Sequence, residues 1–102
     1  MMIKHMVMWN LQKKAKGRTA AENAKIIMER LKALNGRIPG MKMLEVGMDF
    51  SRSPMSFDMG LYSEFESRKA LDDYQEHPEH AAVRDFIFEV IDGDIVLLDY
   101  EI

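Results

Sequence analysis

From Ile3 to Leu11 the side chains alternate with period two. Ile3, His5, Val7, Trp9 and Leu11 fall on one side, and Lys4, Met6, Met8 and Asn10 on the other. That period predicts a β-strand, here with apolar groups on both faces. A basic stretch follows, in which Lys13, Lys14, Lys16 and Arg18 read as a solvated loop. Thr19 with Glu22 three residues later is the signature of a capping box. Ala24, Ile27, Met28, Leu31 and Leu34 then recur at helical spacing until Asn35-Gly36 supplies a stop. Residues 42–50 alternate again, with Leu44, Val46, Met48 and Phe50 opposed to Met43, Glu45, Gly47 and Asp49. After the loop SRSPMS, residues 57–65 predict a third strand with Phe57, Met59 and Leu61 on one side. An interrupted helix comes next. Leu71 and Tyr74 mark the apolar side of its first part, Val83, Phe86, Ile87 and Val90 that of its second, and Asp92-Gly93 closes it. Residues 94–101 complete the series as a strand, with Ile95 and Leu97 opposed to Val96, Leu98 and Tyr100.

The order βαββαβ predicts an α+β, ferredoxin-like subunit: an antiparallel four-stranded sheet with its helices on one face. Helices on one side leave the other sheet face uncovered, yet the first and last strands carry bulky apolar groups on both. A second copy packed sheet against sheet is the economical cover, so the pattern predicts a homodimer through the sheet face.

Composition narrows the function classes. A length of 102 residues with 47% hydrophobic and 30% charged side chains fits one folded domain over residues 1–102. A formal charge of −3 without a concentrated basic face argues against nucleic acid as the partner. No apolar stretch reaches the ~20 residues of a membrane span, and nothing resembles a secretory signal. Cysteine is absent, which removes disulfides and thiolate chemistry and permits a reducing compartment, so the cytoplasm is the expected location. The ten methionines fall mostly at core positions and read as adaptable packing.

Candidate chemistry gathers where the second helix breaks, in YQEHPEH. Pro78 drives the residue before it out of helical conformation and suits the first position of a new helix. His77 therefore falls at the N-cap, a capping and packing position, with Glu79 and His80 in the first turn. A protonated His80 would oppose the positive end of the helix dipole, so the local field favours neutral imidazole, the form a general base needs. Tyr74, from the preceding turn, can orient that base or donate to an oxyanion. His5, alone among apolar neighbours on its strand face, reaches the same region if that face meets the helices; satisfaction by a backbone carbonyl is the alternative. Glu76, His77, Glu79 and His80 also contain metal-ligand types, but zinc wants three or four convergent ligands and the proline kink works against convergence, so no metal is expected. No phosphate loop or cofactor motif is present, and none is expected to be bound.

The segments IKHMVMW, IPGMKMLEVGMDF, YSEFES, YQEHPEH and LLDYE together resemble the stress-responsive A/B barrel (Dabb) family, over nearly the whole chain. The resemblance implies a dimeric α/β barrel of ferredoxin-like subunits. It implies no single function, since the family includes stress-induced proteins without established chemistry and a plant polyketide cyclase that performs an intramolecular aldol condensation. Carried over from that cyclase, the general base falls on His80, its partner on Tyr74 and a pocket histidine on His5. Pocket positions that are aromatic there fall on Met28 and Leu31, and a histidine of its third strand on Met59; apart from the cyclase, His77 is a candidate ligand contact beside its capping role. Two readings follow. One is a homodimeric stress-response-type protein binding a small apolar or aromatic ligand between sheet and helices. The other is a cyclase-like or lyase-like enzyme with His80 as base and Tyr74 as its partner.

Overall fold

A computed structural model describes residues 1–102. Four long strands, β1 (Ile3–Leu11), β4 (Met41–Met48), β5 (Met59–Phe65) and β6 (Ile91–Glu101), form one antiparallel sheet in the order β4-β5-β1-β6. Helices α1 (Ala20–Lys32), α2 (Arg68–Glu76) and α3 (Pro78–Val90) accompany them. This is the ferredoxin-like α+β arrangement, with the interrupted second helix resolved into two. The basic loop contains a short hairpin, β2 (Lys14–Ala15) paired with β3 (Arg18–Thr19), whose turn uses positive φ at Lys16 and Gly17.

Register explains how the faces divide. His5 pairs with Ser63 on β5 and with Asp99 on β6, so these side chains point to the same side of the sheet as Trp9 and Leu61. That side meets the helices, and there Trp9, Met59, Leu61 and Phe65 join Ile27, Leu31, Tyr74 and Val90 in one buried cluster. The opposite side carries Met6, Met8, Val96, Leu98 and Tyr100, with Leu98 57% exposed in the single chain. At one end of this outer face the Tyr62 hydroxyl and the Lys4 ammonium both donate to the Glu64 carboxylate.

Several boundaries differ from the sequence reading, each for a local reason. β4 ends at Met48, and Phe50, expected on its apolar face, lies in the following turn, 94% exposed. Asp49 ends the strand by turning its carboxylate onto the Arg52 amide and the Ser51 hydroxyl. Helix α1 stops at Lys32, three residues short of Asn35. Asn35 instead clamps β4: its amide donates to the Leu44 carbonyl and its side-chain oxygen accepts from the Leu44 amide, both at 3.0 Å. Asp92-Gly93 does not end the last helix but lies inside β6, where Gly93 (φ 81°) sits at a register irregularity opposite Met8 to Asn10.

Candidate functional site

The break between α2 and α3 is capped by one residue. His77 leaves the helix at φ −64°, ψ 131°, its amide still donating to the Tyr74 carbonyl while its Nδ1 accepts from the Glu79 amide at 3.1 Å. Pro78 then starts α3 where a missing N–H costs nothing. From the turn after α1, Arg37 grips the Glu79 carboxylate through two hydrogen bonds and holds that carboxyl below its ordinary range. These contacts fix the first turn of α3, the turn that carries His80.

His80 lies inward over Tyr74, with ring centroids 4.0 Å apart. Tyr74 in turn meets His5 edge-on at 6.0 Å and tilts against Phe65 at 5.0 Å. His5, Tyr74 and His80 all line a cavity of about 210 Å³ between the sheet and the helices. Its walls are mainly apolar, with Trp9, Leu31, Leu61 and Ile87 among them, and the half-exposed Phe88 and Leu97 stand where it opens to solvent.

Two polar atoms of the lining residues have no hydrogen-bond partner: the Trp9 indole N–H and Nδ1 of His80, both fully shielded from solvent. Burial pushes the His80 imidazole down to about 4, reinforced by the nearby Arg84 charge and offset in part by the Gln75 carbonyl. His80 is therefore neutral at pH 7. Burial alone pushes the Tyr74 phenol above its ordinary value, so the hydroxyl keeps its proton and can donate it in a hydrogen bond.

A group absent from the sequence reading completes the site. Asp99 stands directly across from His5 in the sheet, and its carboxylate meets Nδ1 of His5 at 2.5 Å. A carboxylate on Nδ1 fixes that nitrogen as the donor and leaves Nε2 as the acceptor of the ring. The Asp99 side chain is one-third exposed, so the dyad runs from the cavity wall to the surface. Arg84, one helical turn beyond His80, lines the cavity itself and is also missing from the sequence reading. Asp99 lies in the quoted LLDYE and Arg84 at helical spacing between His80 and Phe88, so a signal existed for each.

Of the ligand-contact positions considered from sequence, Leu31 lines this cavity. Met28 packs half-buried against the core, Met59 is buried at the end of the sheet beside Trp9 and Met48, and His77 serves as the helix cap; none of these three borders it. No three His, Asp or Glu side chains are grouped to hold a metal ion, and no helix is long and apolar enough to cross a membrane.

An antiparallel ferredoxin-like sheet with a histidine-lined cavity beneath its helices defines the class: a subunit of the A/B barrel type. The chain belongs to the stress responsive A/B barrel domain (Dabb) family, which matches residues 3–102. Among solved structures, a dimeric ferredoxin-like protein of unknown function from Bacteroides fragilis is 28% identical, with 99% of this chain and 96% of that one covered and a TM-score of 0.76. A Dabb family protein with a ferredoxin-like fold from Mesorhizobium loti is 26% identical over 98% of this chain and 95% of that one, with a TM-score of 0.75. A hydroxynitrile lyase from Passiflora edulis shares the fold at 19% identity, with a TM-score of 0.76 and coverage of 97% of this chain and 91% of that one. No curated protein sequence matches the chain.

Proposed function

We propose that the chain is a single-domain cytoplasmic homodimer, paired through the outer sheet face, whose cavity binds a small and mostly apolar ligand carrying a polar group. The observation that carries this reading is an open, mainly apolar cavity onto which His5, Tyr74 and His80 converge. The Tyr74 side chain and the two histidines give a polar group of the ligand partners on an otherwise apolar wall. A cavity of about 210 Å³ is large enough for one ring or a short chain, since an engineered cavity of about 150 Å³ takes up benzene. Pairing is supported by the outer face, where Met8, Val96, Leu98 and Tyr100 stand exposed together, and by the dimeric state of the Bacteroides fragilis protein.

Thermal unfolding against small aromatic and alkyl alcohols, ketones and acids tests the ligand site. A ligand at about 100 times its Kd stabilises by about 2.7 kcal/mol, several degrees for a domain of this size. The shift should vanish in Ile95→Trp, which fills the cavity from the half-buried edge strand. A shift that survives the filling places the ligand elsewhere, and no shift across the panel removes the ligand-binding reading.

The short His5–Asp99 contact favours a second reading, an acid–base enzyme of cyclase or lyase type. In it Tyr74 donates to a developing oxyanion, while His80 or the Asp99-oriented His5 takes the proton. A base with a pKa near 4 is weak at neutral pH, which leaves His80 as a hydrogen-bonding partner in that step. Turnover of an aldol or cyanohydrin substrate that falls in both His5→Ala and Tyr74→Phe, with folding retained, supports catalysis; turnover unchanged in both removes it.

A further inference from the structure

We propose that the ligand of this cavity is a carboxylic acid, its carboxylate held by Arg84 at the open side and its apolar body lying against Trp9, Leu31, Leu61 and Ile87. The inference rests on the cavity being a ligand site and adds the chemical class of what enters it. Arg84 is the one cation on the lining, and it takes part in none of the chain's ion pairs. One guanidinium N–H donates to the Gln75 carbonyl at 2.9 Å, which anchors the side chain to the last turn of α2. A guanidinium has five donors in a planar fork, so most remain for a ligand, and the anchor has already removed much of the freedom that binding would cost.

His80, one helical turn before Arg84, lines the same cavity with its ring against Tyr74, so α3 presents both side chains to one space. The remainder of the lining explains the orientation. Asp99 stands behind His5 with a negative charge of its own, so a carboxylate placed toward His5 would face repulsion, whereas one placed toward Arg84 meets the only positive group. The apolar walls fill the space between these poles, and Phe88, one turn past Arg84 on α3, lines it half-exposed. A neutral apolar ligand would leave the guanidinium fork unused at the edge of a low-dielectric space, where charge-assisted bidentate hydrogen bonds are strong.

The test is isothermal titration of the full chain with benzoate, phenylacetate and hexanoate against benzamide, phenylacetamide and hexanamide, which match them in shape. In the wild type at least one acid should bind about tenfold or more tighter than its amide, the advantage expected of a charge-assisted pair. In Arg84→Gln that preference should disappear while amide binding persists, and Arg84→Lys should restore part of it. The acid-to-amide ratio does not depend on how stable a variant is, so a purely structural role for Arg84 leaves it unmoved. Equal binding of acid and amide in the wild type, or a preference that survives Arg84→Gln, overturns the carboxylate assignment and leaves the cavity as a ligand site. Binding of neither series overturns both.

Discussion

Lowering the pH should expose the cost of keeping His80 neutral. Burial takes its imidazole from 6.5 to about 4, while the unfolded chain returns it to the ordinary value. Between those two values the unfolded chain binds a proton that the folded chain refuses, so stability falls as the pH drops and recovers above about pH 7. Integrating the two titrations from about pH 7.5 to about pH 5 gives a loss of about 2 kcal/mol, reduced to about 1 kcal/mol by water at the open side of the cavity. Urea denaturation of the wild type and of His80→Gln at both pH values, at one protomer concentration, isolates this term. Carboxylates and the other histidines titrate alike in both proteins and cancel in the double difference. The wild type should therefore lose about 1–2 kcal/mol more than His80→Gln. A double difference below about 0.3 kcal/mol would mean that the imidazole is hydrated enough to keep its proton, and the argument from burial would fail.

Three further perturbations probe the frame around the site. Gly40 adopts φ 79°, and a Cβ there would lie 2.6 Å from the Ala70 Cβ, so Gly40→Ala should cost about 3 kcal/mol in chemical denaturation; a loss under about 1 kcal/mol would show that α2 shifts freely. Leu98→Glu puts a charge on the outer face without touching the helix side, and sedimentation should report a folded monomer; an unchanged dimer would move the interface elsewhere. Thr19→Ala removes the hydroxyl that accepts from the Glu22 amide and should cost about 1 kcal/mol of stability, with an unchanged midpoint excluding a contribution from the capping box.

Where the pattern repeats within one element, the sequence predicted the fold well. The two faces of β1, the capping box at Thr19 and the break at His77 each depend on residues a few positions apart, and all three stand in the structure. What escaped depends on register between distant segments. The His5–Asp99 contact joins residues 94 apart, and its pairing follows only after the irregularity at Asp92-Gly93 is known, since a slip of one residue would carry Asp99 to the other face. Arg84 escaped for a different reason: a cation on a helix reads as solvated until the cavity beside it is seen. Phe50 and Asn35 were misplaced because local side-chain hydrogen bonds ended or anchored their segments where apolar spacing and turn signals predicted otherwise.

The helix break has a consequence for how this chain can change. In one continuous helix Tyr74 and His80, six positions apart, would stand about 9 Å apart along the axis and some 240° around it. Their rings could not touch. They meet at 4.0 Å only because the chain leaves the helical path at His77 and resumes it at Pro78. The contact thus belongs to the joint and not to either helix, and its sensitivity is to chain length more than to residue identity. Adding or removing one residue at this joint would rotate all of α3 by about 100° and turn His80 away from the cavity, whereas the exposed loop between β4 and β5 can vary in length without moving either ring.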